Sequence, residues 1–219
     1  MNYIDLSHEL RDKIPVYPRD PDFILKNITL KKDNYSMFKM EGGLHTGTHL
    51  DAPYHYMENG KKVNELNLNS LIGKANILEI GYVDYHTNDL HHENAQMIKN
   101  KEIMIDTIEK LPDQLERIII LKTGWFNNWG SDDYFTDNPY LSKELAKLLV
   151  ENGISGIAID IPNVDKQDKS RIHKILLKNN IWIVENITNV DKLIKDTYQA
   201  YFIPLNINAE ASYVRAFVK

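Results

Sequence analysis

Three of the eight histidines in this 219-residue chain fall within one short run, His45-Thr46-Gly47-Thr48-His49-Leu50-Asp51-Ala52-Pro53-Tyr54-His55. Imidazole nitrogen and carboxylate oxygen suit Zn, Mn or Fe as ligands. The chain has no cysteine, which excludes disulfides, a thiol nucleophile and the thiolate cage of a closed structural zinc site. An open, catalytic centre fits better. Taken singly, each histidine reads as a satisfied polar loop residue, but together with Asp51 they would be expensive to bury without a cation. In a flat strand His45 and His49 would stand roughly 13 Å apart at about 3.3 Å per residue. That is too far to share an ion whose bonds to nitrogen are about 2 Å long. Gly47 permits a tight bend and Pro53 stops a helix, so the run is expected to form a turn or a single helical turn on which three ligands converge.

The elements that must position this run are written in short β-branched and aromatic stretches. Strands are expected over Tyr3–Leu6, Phe23–Leu30, Tyr35–Met40, Ala75–Val83, Arg117–Lys122, Ile154–Ile161, Ile181–Val184, Tyr198–Pro204 and Ser212–Val218. Leu141, Leu145, Leu148 and Leu149 form an apolar stripe that predicts a helix over Leu141–Asn152, ended by Gly153. Further helices are expected over Ser170–Asn179 and around Asn189–Lys195, while the polar stretches Tyr85–Glu93 and Trp125–Pro139 read as loops. Alternating strands and helices in the C-terminal half indicate α/β pairing behind a mainly β N-terminal half.

Composition narrows the classes of function. The length fits a single domain spanning residues 1–219. A net charge of −5, with acids and bases interspersed, offers no basic stripe for nucleic acid. The longest apolar run, near Arg117–Leu121, falls far short of the roughly 20 residues that span a bilayer, and the N-terminus lacks a basic start and an apolar signal region. A cytoplasmic protein without a membrane or nucleic-acid partner is expected. No G-x-S-x-G elbow is present, so a covalent serine route has no support.

The pattern H-x-G-T-H-x-D-x-P-x-H, complete from His45 to His55, resembles the signature of the cyclase family, which includes bacterial kynurenine formamidases and isatin hydrolases. The likeness continues in order along the chain. It runs through Ile4-Asp5-Leu6-Ser7-His8, Pro15-Val16-Tyr17-Pro18, Lys122-Thr123-Gly124-Trp125 and Gly156-Ile157-Ala158-Ile159-Asp160-Ile161-Pro162. His173, Glu185-Asn186, Pro204-Leu205 and Val214-Arg215-Ala216 follow. The resemblance implies an α/β fold, a swivelling β/β/α domain with mixed sheets and flanking helices. It also implies that His45, His49, Asp51, His173 and Glu185 bind a divalent metal, Zn or Mn, as one or two ions. Five such side chains exceed what one ion with an open position usually takes, and carboxylates can bridge two ions about 3.5 to 4 Å apart.

By the same resemblance His55 is the proton donor and acceptor, Tyr17 lies in a substrate-facing loop, and the chain forms a homo-oligomer, a dimer or tetramer. The implied activity is hydrolysis of a small amide, with an aryl formamide such as N-formylkynurenine first. A lactam or lactone hydrolase of the same family, or a metal-binding homologue without catalysis, is the alternative, and intact His55 speaks for an enzyme. The chain departs from the family at Tyr17, where kynurenine formamidases tend to carry tryptophan, at Asn163 in place of a common serine, and at Ala211-Ser212-Tyr213, which usually holds a proline. Of the remaining histidines, His8 is expected to be structural, and His91 and His92 to be exposed. Trp125, Phe126 and Trp129 are expected to pack a core or a subunit contact.

Overall fold

The runs Ile118–Leu121, Gly156–Ile159 and Trp182–Val184 have no polar face, so strands formed from them must be covered on both sides. The computed structural model describes residues 2–29, 34–81, 101–166 and 169–219, and it sets these three runs side by side and parallel in one eight-stranded sheet. In chain order the strands are β1 (Ile4–Asp5), β2 (Ile24–Asn27), β3 (Phe38–Glu41), β4 (His49–Asp51), β5 (Ile72–Glu79) and β6 (Glu102–Ile103). They continue with β7 (Ile118–Lys122), β8 (Tyr140–Leu141), β9 (Gly156–Ile159), β10 (Trp182–Glu185), β11 (Thr197–Pro204) and β12 (Ala211–Val218). The helices are α1 (Leu68–Leu71), α2 (Lys143–Glu151) and α3 (Arg171–Lys178).

The main sheet runs β1-β12-β11-β5-β7-β9-β10-β4, and β4 pairs again with β12, so the strands from β12 round to β4 close into a ring. Strand β4 is the closing member. It lies antiparallel between β10 and the start of β12, while β1 pairs with the far end of β12. Successive side chains on a strand point to opposite faces. Leu50, Ile118, Ile120, Ala158, Trp182, Val184, Phe202 and Ala216 share one buried cluster inside the ring. Their neighbours Ile119, Leu121, Ile157, Ile159 and Ile183 pack outward against Leu145 and Leu149 of α2 and Ile172 and Leu176 of α3. By that alternation His49 and Asp51, flanking Leu50, and Glu185, following Val184, face outward on the side covered by α3.

Both long helices match their expected stripes with the ends trimmed. Helix α2 begins two residues later than expected, because Leu141 belongs to β8 and Ser142 caps the helix, its Oγ accepting from Leu145 N at 3.1 Å. Around Asn189–Lys195 only a 3-10 turn over Val190–Lys192 forms. Strand β5 starts earlier than expected, at Ile72, and its expected end at Val83 lies outside the described residues, as do His86, His91 and His92. The main correction concerns the histidine run. It is a bend at Gly47 (φ +62°), a buried strand over His49–Asp51 and a 3-10 turn over Pro53–His55. No single turn spans it, because β4 is needed to bond both β10 and β12. Among the described residues no helix is long and apolar enough to cross a membrane.

Candidate metal centre

Two residues apart on β4, His49 and Asp51 project from one face, and the register sets Glu185 of β10 directly opposite His49. The bend at Gly47 brings His45 back over this pair, with His45 Nδ1 3.0 Å from Asp51 Oδ1. From above, α3 lowers His173, whose Nε2 is 3.4 Å from both Asp51 Oδ2 and Glu185 Oε1. His49 Nε2 lies 3.5 Å from Asp51 Oδ1 and 3.6 Å from Glu185 Oε2. His55, on the turn begun by Pro53, sets its ring centroid 4.4 Å from that of His45 and 5.8 Å from that of His173. All six residues line one cavity of about 240 Å³, with Tyr17 at its wall. The residues singled out in the sequence for metal, proton transfer and substrate thus meet at one place.

His49 and His173 are each oriented by a group behind the ring. His49 Nδ1 is 2.9 Å from the Gly47 carbonyl, which can only accept, so Nδ1 carries the proton and Nε2 presents a lone pair to the carboxylates. His173 Nδ1 donates to Asp165 Oδ2 at 2.7 Å, which likewise turns Nε2 inward. Asp165 also caps α3, accepting from Ile172 N at 2.7 Å and His173 N at 3.2 Å. Glu185 Oε1 accepts from Val164 N at 3.0 Å. The imidazole held by a carboxylate or carbonyl on its outer nitrogen is the arrangement found behind metal-ligating histidines.

The inner atoms have no comparable support. Among the described residues both oxygens of Asp51 and His49 Nε2 are buried and form no hydrogen bond, although His45 and His173 nitrogens stand 3.0 and 3.4 Å from the Asp51 oxygens. A buried carboxylate without hydrogen bonds is costly unless a cation compensates it, so the donor set fits a divalent ion. Protons carry that charge otherwise. Burial works against charge on His45, but the charge and contact of Asp51, with Glu185 and Glu210, raise its pKa to about 9. His173 is pushed well above its ordinary range, with burial opposed by Asp165, Asp51 and Glu185. Burial would raise Asp51, yet the surrounding histidines, His45 foremost, hold it well below the carboxylate range. Burial lowers His49 and His55 to about 4, so both rings are neutral at pH 7.

Ligand atoms of His49, Asp51 and Glu185 lie within 4.8 Å of one another, as do those of His45, Asp51 and His55. Asp51 belongs to both sets. The Cyclase family model matches residues 4–166. This chain belongs to the cyclase family. Over 223 residues it is 31% identical to the kynurenine formamidase of Bacillus thuringiensis subsp. konkukian, covering 99% of this chain and 97% of the relative. The kynurenine formamidase of Bacillus mycoides is also 31% identical, over 224 residues and the same shares of both chains. Isatin hydrolase A from Labrenzia aggregata has the same fold, with a TM-score of 0.77 at 20% identity over 99% of this chain and 93% of that one.

Several cavity residues of this cyclase-family chain carry no signal in the sequence. Phe135 meets Tyr17 edge to face at 5.8 Å, and with Tyr56 it gives the cavity aromatic walls, while Asp20 stands at the mouth. Glu210 reaches within 3.5 Å of His45 Nε2 from the β11–β12 connection. None of these lies at a spacing that periodicity could expose. Trp125 is core, its Nε1 donating to the Tyr134 carbonyl at 3.1 Å, and Trp129 stacks on His8 with ring centroids 3.9 Å apart. His8, lowered to about 4 by burial, lies outside the cavity.

Proposed function

We propose that the chain hydrolyses the C–N bond of a small aryl formamide, N-formylkynurenine first, using one or two Zn or Mn ions held on His45, His49, Asp51, His173 and Glu185. It is a metal-dependent hydrolase of the cyclase family. We place it in the cytoplasm as a homo-oligomer. The observation that carries the metal assignment is the set of buried atoms on Asp51 and His49 that form no hydrogen bond, facing Glu185 and His173. A divalent ion there supplies Lewis acidity, polarising a carbonyl oxygen and acidifying water toward neutral pH.

The chain's own groups do the rest. The rings of Tyr17, Phe135 and Tyr56 line the cavity and give an aryl group apolar walls to pack against. Asp51 and Glu185, lining the cavity, would hold the ion there. His55 is neutral at pH 7 because burial lowers it to about 4, so it can take a proton from the attacking water and return it to the departing nitrogen. A screen of metal-reconstituted protein against N-formylkynurenine, formanilide and isatin tests this. Formamide turnover that stops on chelation and returns with Zn or Mn is the expected result. Preference for isatin would transfer the assignment to lactam opening, and turnover by verified metal-free protein would overturn the metal role.

A further inference from the structure

Asn186 follows Glu185 at the end of β10 and is buried, in the left-handed conformation at φ +57°. Asparagine tolerates that region better than most residues. Its Nδ2 donates to the Gly47 carbonyl at 3.1 Å, the same oxygen that accepts from His49 Nδ1 at 2.9 Å. Its Oδ1 accepts from the buried Tyr134 hydroxyl at 2.9 Å, and its backbone carbonyl accepts from Thr48 Oγ1 at 2.6 Å. A strand end carrying Glu185 is thereby joined to the bend carrying His45 and His49. The Gly47 carbonyl has two lone pairs. His49 occupies one and Asn186 the other, so the peptide plane at a glycine, otherwise free to rotate, is held from two sides.

We propose that Asn186 is a positioning residue for His49: by fixing the Gly47 carbonyl it holds the acceptor that keeps the His49 proton on Nδ1 and its Nε2 lone pair toward Asp51 and Glu185. The inference rests on the metal-site reading above. The asparagine amide is specific to the task, because an aspartate would set acceptor against acceptor at Gly47, and a glycine would keep the backbone conformation while removing the donor. Tyr134 orients the amide, since its hydroxyl claims the oxygen end and leaves the nitrogen end for Gly47.

The test is the Zn2+ dissociation constant, measured by competition with a chromogenic chelator, in wild type, Asn186→Asp, Asn186→Gly and Tyr134→Phe. It is paired with long-range 1H–15N spectra of the metal-free imidazoles and with thermal midpoints. Both position-186 variants are expected to weaken Zn2+ binding by about 10- to 100-fold, the range for losing a group behind a ligand, and to lose the single Nδ1–H signature of His49. Tyr134→Phe is expected to fall between them and wild type. Folded variants that hold Zn2+ as wild type does, or that lose affinity with the His49 tautomer unchanged, overturn the proposal. A merely structural Asn186 would lower the midpoint and leave the constant of the folded protein alone. Should neither position-186 variant fold, wild-type affinity in Tyr134→Phe is the overturning result. A wild-type protein that does not retain Zn2+ sinks the metal-site reading instead.

Discussion

Asp51 and Glu185 each face histidine nitrogens from opposite strands, so removing either carboxylate should strip or reduce bound metal. Elemental analysis of Asp51→Ala and Glu185→Ala checks this, and full occupancy in both removes them as ligands. His55→Ala should keep its metal while the rate falls by about 10²- to 10⁴-fold, the usual worth of a positioned acid–base group. An unchanged rate would take His55 out of the mechanism, and lost metal would make it a ligand, as its closeness to His45 and Asp51 allows. The residues proposed for chemistry were legible because their types are rare in combination: three histidines, an aspartate, a glycine and a proline in one short run. The groups that orient them were not. Asp165 and Asn186 act through contacts that only folding creates, Asn186 reaching Gly47 across 139 positions, and neither residue type is unusual in a loop.

At the scale of elements, the buried parallel strands were legible from their unbroken apolar runs and α2 from its stripe and cap. Strand β4 was hidden. His49-Leu50-Asp51 has one apolar residue between two polar ones, and the neighbouring Gly47 and Pro53 are turn signals. What makes it a strand is its hydrogen bonding to β10 and β12, which local sequence does not report. A prediction belongs to this level. A Cβ at Gly156 of β9 would lie 2.0 Å from Trp182 Cδ2 on the adjoining strand, and that indole is itself buried and donates from Nε1 to the Ser70 carbonyl at 3.1 Å. Gly156→Ala should therefore destabilise the protein by about 1 to 3 kcal/mol through overpacking. Chemical denaturation measures it, and wild-type stability would show that Trp182 can yield freely.

For the whole molecule, the protons that stand in for a cation set the pH range of the metal-free fold. His45, raised to about 9 from 6.5, contributes stability that is fully present below pH 6.5 and lost as pH rises through 9. His8, His49 and His55, lowered to about 4, contribute in the other sense, so stability is lost as pH falls from 6.5 toward 4. Asp160, raised to about 6 by burial, and Glu185, also raised by burial, oppose part of the acid limb, while Asp51, held well below the carboxylate range, reinforces it. The unfolding midpoint of chelated protein should peak near pH 6.5, and a midpoint that keeps rising to pH 9 would contradict the His45–Asp51 pairing. The ring brings His45 and Asp51 of the N-terminal half against His173 and Glu185 of the C-terminal half, and everything proposed about chemistry depends on a cation between them. Anomalous diffraction from crystals grown with Zn2+, collected across the zinc edge, tests that most directly. The expected result is one or two peaks within bonding distance of Asp51, His49 and Glu185; a map with no peak there, while zinc appears elsewhere on the chain, would contradict it.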